Sequence, residues 1–226
     1  MPGLRDLLDA GEQARADRFK FAADHDSYVA AHALLRVMLS EQAAIAPERW
    51  RFVVAGHGKP AIDPALGQPR LRFSLSHSRG LVACAVGCDH DLGVDVEAAR
   101  QSLAVLALAR RHFAAAEVEL IATAPPDCQD AMFYRLWTLK EAYVKATGEG
   151  ITAALDGFCF ALDPLSISFT STRRDHPEAW QFTEIRPGPR QYLALAVRRP
   201  ATDPIGLDQA AVSPAYCLRR AGRSPA

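Results

Sequence analysis

Apolar residues recur at helical spacing over residues 26–42, where Val29, Ala33, Leu34, Val37 and Met38 line one face and Asp24 or Asp26 precedes as a cap. Residues 4–20 are charged and helix-prone. The pattern then shifts to period two. Arg51-Phe52-Val53-Val54 reads as a short strand before the turn Gly56-His57-Gly58-Lys59-Pro60. Strand-like runs follow at Leu71–Ser76, Leu81–Val86 and Leu92–Val96, the first two joined by the turn His77-Ser78-Arg79-Gly80. Helical periodicity returns over 102–123, with a break after Phe113, and over 130–147, which Gly148 and Gly150 end. Ala124-Pro125-Pro126-Asp127 separates them as a loop. Further strands are expected at Gly157–Leu162, Ile167–Thr170, Trp180–Ile185 and Tyr192–Val197, and a poorly packed tail from about Pro200. Leu81–Val86 echoes Tyr192–Val197, each closing a hairpin well after a long helix. Two copies of a helix-plus-hairpin unit fit this echo, and so does chance likeness between strands of small apolar residues.

Composition narrows the class. The 226 residues form one large domain or two small ones. Twenty-six basic residues balance twenty-six acidic ones, which argues against broad capture of nucleic acid but leaves room for a local basic pocket. No apolar run reaches the roughly 18 residues of a membrane helix. The N-terminus lacks the apolar core of a signal peptide. Five cysteines without a C-x-x-C pair read as reduced thiols, so a cytoplasmic protein is expected.

Four short stretches carry possible chemistry. In Gly93-Val94-Asp95-Val96-Glu97, strand alternation sends Asp95 and Glu97 to one face and the valines to the other. Adjacent carboxylates repel unless a cation lies between them, and Mg²⁺ suits such hard oxygen ligands. A bare D-x-E also fits a solvated strand end. In Trp137-Thr138-Leu139-Lys140-Glu141-Ala142-Tyr143-Val144-Lys145, helical spacing puts Trp137, Glu141 and Lys145 on one face and Lys140 elsewhere. Glu141 and Lys145 also fit an ordinary surface pair. His77 follows Phe73-Ser74-Leu75-Ser76 at a turn, where loops carry function. Gly58-Lys59-Pro60 offers close backbone approach and a lysine for phosphate, although the P-loop spacing is absent.

Taken in order, Gly58-Lys59-Pro60, Ser74-Leu75-Ser76-His77, Gly93–Glu97 and Trp137–Lys145 resemble the motif series of the 4′-phosphopantetheinyl transferase superfamily, in the long monomeric type that activates nonribosomal peptide and polyketide synthases. Arg111-His112-Phe113 with Glu117 is similar to its intervening R-x-F-x-x-x-E stretch. The similarity covers roughly residues 12–198.

The resemblance implies an α+β fold, a pseudo-twofold duplication of two similar subdomains, each a small antiparallel sheet packed on a long helix. The expected division is 1–92, 93–200 and a tail 201–226. It implies transfer of the phosphopantetheine arm of coenzyme A to a serine of an apo acyl or peptidyl carrier protein, with release of 3′,5′-ADP. Asp95, Glu97 and Glu141 would hold Mg²⁺. Glu141, or a water on the metal, would take the serine proton. Lys145 would stabilise charge on the attacked phosphate. His77 and Lys59 would grip coenzyme A phosphates, while Gly58, Pro60 and Ser76 shape the nucleotide pocket. A monomer with no nucleic-acid or membrane partner is expected. Two departures stand out. Relatives usually begin with a β-strand before the segment equivalent to Leu7–Phe21, and little precedes it here. Relatives often carry basic residues early in the first long helix, where this chain has Ser27 and Tyr28, with Arg15, Arg18, Lys20 and Arg36 nearby. The first departure keeps open a non-catalytic coenzyme A or carrier-binding protein. The carboxylates alone also fit a metal-dependent phosphohydrolase.

Overall fold

The computed structural model describes residues 3–54, 58–100, 104–150, 154–171, 173–200 and 202–223. Gly56 and His57 lie outside the described residues. The fold is α+β and has two parts of like build, each with one long helix against antiparallel strands.

In the first part, α1 (Ala10–Ala16) opens with a capping box in which Asp9 accepts from the Glu12 N–H and Glu12 accepts from the Asp9 N–H. The charged stretch 4–20 therefore yields a short helix after a single 3₁₀ turn at Arg5–Leu7. Helix α2 (Ala22–Gln42) starts earlier than its apolar stripe suggests. Phe21 is its N-cap and Asp24 lies in the first turn, where an acid complements the helix dipole without capping it. Strand β1 (Phe52–Val54) pairs with β2 (Pro60–Ile62), an element absent from the sequence reading. β3 (Leu71–Ser78) and β4 (Leu81–Cys88) form a hairpin on α2. The strand runs through His77 and Ser78, so the turn is only Arg79-Gly80, both at positive φ.

In the second part, β5 (Leu92–Ala98), β9 (Gln191–Arg198) and β8 (Trp180–Ile185) make an antiparallel sheet in the order β5-β9-β8. Helices α3 (Val105–His112) and α4 (Ala115–Thr123) break at Phe113 as the sequence implied. Helix α5 (Pro126–Thr147) begins inside the expected loop, because Pro126 fits the first helical position, where its missing N–H is harmless. Gly148, at φ +75, ends it. β6 (Phe158–Leu162) and β7 (Leu165–Phe169) form the last hairpin. Residues 202–214 are almost all exposed, as a loosely packed tail would be, but the segment after them is packed. Helix α6 (Pro214–Arg220) buries Cys217 and Leu218 with Leu4, Leu7, Val29 and Val37, so the chain end returns to the first part. No helix among the described residues is long and apolar enough to cross a membrane.

Two features fix the geometry. Gly93 faces α5, and a Cβ there would lie 2.1 Å from the Ala142 carbonyl oxygen and 2.4 Å from the Ala146 nitrogen. Only a residue without a side chain lets α5 lie this close to β5. The second is a buried ion pair between Lys140 and Glu117, Nζ to Oε2 at 2.7 Å, with both side chains fully buried. Lys140 also donates to the Leu155 and Phe158 carbonyls at 2.7 Å each, and Glu117 accepts from the Phe160 and Ala114 N–H groups. Every strong donor and acceptor is used, as a buried charge requires.

Gly93→Ala is expected to cost at least about 3 kcal/mol in urea denaturation or to prevent folding, since the clash is with backbone and exceeds ordinary overpacking. Lys140→Met strands Glu117 in the core and is expected to cost about 3–5 kcal/mol, with much of the loss recovered in the double variant Lys140→Met/Glu117→Leu.

Candidate active site

β5 and α5 bring the acidic and basic candidates together. Asp95 and Glu97 project from the same face of β5 as Gly93, toward α5, while Val94 and Val96 enter the apolar cluster with Leu92, Leu195 and Val197. One α-helical turn separates Glu141 from Lys145. Lys145 Nζ lies 2.6 Å from Asp95 Oδ1. Ser76 Oγ donates to that same oxygen at 2.8 Å, and Ser78 Oγ donates to Glu97 Oε2 at 2.8 Å.

The electrostatics follow from crowding. Burial raises the pKa of Glu141 above the usual carboxylate range, and the charges of Asp95 and Glu97 push it the same way, while Lys145 opposes them. Burial and Asp95 likewise raise Glu97, against the Ser78 hydrogen bond and Lys145. His77 is held below its ordinary value by desolvation and then by the Lys145 charge, with Asp24 on α2 opposing. His77 thus belongs to the same electrostatic group, although its ring is exposed.

One expected site residue, Lys59, has other partners in this structure. Lys59 Nζ donates to the Ala146 carbonyl at 3.0 Å and the Leu92 carbonyl at 3.3 Å, pinning the β1–β2 turn across the α5–β5 contact. Desolvation lowers its pKa. Gly58, at φ +84, and Pro60 are exposed on that turn, with open space beside Gly58. Arg36 is fully buried, bound to Glu12, Asp9 and the carbonyls of Pro47 and Trp50, so it is structural. Sequence reasoning missed Ser78. The only signal for it was the alternation of serine through Ser74, Ser76 and Ser78, which a turn assigned to 77–80 concealed.

Among the described residues no three His, Cys, Asp or Glu side chains converge as a preformed metal cluster. The residues nevertheless fit a hard divalent cation. Asp95 Oδ2 is buried and without a hydrogen-bond partner, and the neighbouring donors are carboxylate oxygens.

The model of the 4′-phosphopantetheinyl transferase superfamily matches residues 91–197, and that of its N-terminal region matches residues 3–89. The 4′-phosphopantetheinyl transferase HetI of Nostoc sp. is 35% identical over 197 residues, 86% of this chain and 81% of that one. The chain belongs to the 4′-phosphopantetheinyl transferase superfamily. A second member, 4′-phosphopantetheinyl transferase psf-1 of Bacillus pumilus, is 32% identical over 88% of this chain and 82% of that one. The holo-[acyl-carrier-protein] synthase of Thermotoga maritima aligns with 49% of this chain and 63% of its own, at 19% identity and a TM-score of 0.39. In this superfamily member the Lys140–Glu117 pair accounts for the Lys of the W-x-x-K-E stretch and the Glu of R-x-F-x-x-x-E as scaffold.

The raised Glu141 pKa means the folded protein keeps that proton to higher pH than the unfolded chain. The associated stability is full below the unfolded value and is lost as pH rises through the folded one. Glu141→Gln, in chelator-treated protein, is therefore expected to melt at higher temperature than wild type at pH 7–8. The difference should close as pH falls toward about 4, where an ordinary glutamate is half protonated. Thermal melts across that range check the sign.

Proposed function

We propose that this transferase moves the 4′-phosphopantetheine of coenzyme A onto a serine hydroxyl of an apo acyl or peptidyl carrier protein, releasing 3′,5′-ADP. The observation that supports the reading is the ion pair of Lys145 on α5 with Asp95 on β5, Nζ to Oδ1 at 2.6 Å, within the electrostatic reach of Glu97 and Glu141. The relatives' names support it. HetI and psf-1 are 4′-phosphopantetheinyl transferases.

In this reading the serine oxygen attacks the phosphorus bearing the pantetheine arm, and the bond from that phosphorus to the bridging oxygen breaks. Asp95, Glu97 and Glu141 would hold Mg²⁺, and the ion would supply charge neutralisation for the pyrophosphate. Lys145 leaves Asp95 and donates to a non-bridging oxygen of the attacked phosphate, where negative charge builds. Glu141 accepts the serine proton as it leaves, directly or through one water. His77, neutral near pH 7 because its pKa is lowered, donates one ring N–H to a coenzyme A phosphate. Gly58, Pro60 and Ser76 border the nucleotide, and Lys59 turns from its two carbonyls to a phosphate. The same reading takes residues 1–92 and 93–200 as the two halves, a monomer as the active form and the cytoplasm as its place.

Intact-mass spectrometry of an apo peptidyl and an apo acyl carrier, each with coenzyme A and Mg²⁺, checks the reaction. Wild type is expected to add one phosphopantetheine mass. Glu141→Gln and Lys145→Ala are each expected to slow the gain by about 10²–10³, the cost of removing one electrostatic stabiliser. Coenzyme A binding without mass gain on either carrier would favour a non-catalytic binding protein instead.

A further inference from the structure

The two parts of the molecule meet along β3 and β5, which run side by side in the same direction yet belong to different sheets. Serine side chains fill the place of the missing backbone ladder. Ser74 Oγ accepts from the Val94 N–H at 3.0 Å, Ser76 Oγ from the Val96 N–H at 3.3 Å, and Ser78 Oγ from the Ala98 N–H at 3.2 Å. The rungs recur every two residues on both strands, as strand geometry demands.

A serine hydroxyl has one proton to give. At the second rung it goes to Asp95 Oδ1 and at the third to Glu97 Oε2. In each case the acceptor is the residue just before the bonded N–H. At the first rung that residue is Gly93, which has no side chain to receive it. Ser76 and Ser78 thus each tie up one oxygen of a carboxylate. On Asp95 the other oxygen, Oδ2, is the buried one left without a partner.

We propose that Ser78 is a positioning residue for this reaction. Anchored to β5 by the Ala98 N–H, it holds Glu97 Oε2 and so turns the other carboxylate oxygen toward the cation site, with Ser76 serving Asp95 in the same way. The proposal rests on the reading of Asp95, Glu97 and Glu141 as cation ligands. It assigns to the first part of the chain a direct part in organising ligands carried by the second.

The probe is Mn²⁺, followed by electron paramagnetic resonance titration of the full-length protein without coenzyme A, alongside thermal melts. Ser74→Ala and Ser78→Ala both leave a β5 N–H without its serine, so both are expected to lower Tm. Only Ser78→Ala is expected to weaken Mn²⁺ binding, by about 10-fold or more, as for other groups that orient metal ligands. Ser74→Ala is expected to bind within about twofold of wild type, and Ser78→Thr, which keeps the hydroxyl, to restore affinity. Should Ser78→Ala fail to fold, Ser78→Cys, a weak donor of similar shape, takes its place with the same expectation. Equal weakening by Ser74→Ala and Ser78→Ala would overturn the proposal, reducing the serines to a structural seam. So would wild-type affinity in Ser78→Ala. Failure of wild type to bind Mn²⁺ would overturn the cation reading itself, and the proposal with it.

Discussion

The close approach of α5 to β5 is the constraint on which the rest of the structure depends. Neither Asp95 nor Glu141 has a chemical meaning alone. The strand offers two carboxylates, and the helix offers a carboxylate and an ammonium one turn apart. They meet because Gly93 lets the helix backbone settle where a side chain would otherwise stand. Lys59 then spans from the first part of the chain to the Leu92 and Ala146 carbonyls at the same contact. A single missing side chain thereby sets the distance between the groups of the site.

Charges in this protein divide into two kinds by how fully they are satisfied. Lys140 with Glu117, and Arg36 with Glu12, are buried and surrounded by matched partners, the half-exposed Asp9 among them. Such networks hold elements in register and have no capacity left for a ligand. Burial and its neighbouring acids push Glu141 toward its protonated form, and Asp95 keeps an oxygen without a partner. Crowding like charges costs stability unless a positive charge offsets it. Lys145 meets part of the need within the chain itself.

The two parts are also held together at a distance from the site. After β9 the chain returns so that α6 packs its Cys217 and Leu218 on α2 and the N-terminal segment, and Tyr216 donates to Glu41 at 2.6 Å. The serine rungs between β3 and β5 and the α6 contact close the molecule at two places. Relative motion of β3 and β5 would break the hydrogen bonds from Ser76 and Ser78 to Asp95 and Glu97, and closure at two places restrains it.

Much of this was legible in the chain. The period-3.6 stripe of α2, the period-two runs of β3, β4 and β5, and the break at Phe113 followed from local pattern, since each buries one face of its own element. The spacing within Gly93–Glu97 and Trp137–Lys145 placed the reactive groups on common faces for the same reason. Other features depended on what lies across space. The sequence reading ended β3 before His77 because serine and histidine resemble turn residues, yet pairing with Leu81 and Val82 carries the strand through Ser78. It missed α6 within the loose tail because the apolar partners of Cys217 and Leu218 lie about two hundred residues away. The role of Lys140 depended on Glu117 and on the carbonyls of Leu155 and Phe158. Local periodicity thus determined which elements form and which way their side chains face. Only the tertiary structure decided which charges meet a partner and which are left for a ligand, because burial and electrostatic pairing are set by neighbours in space.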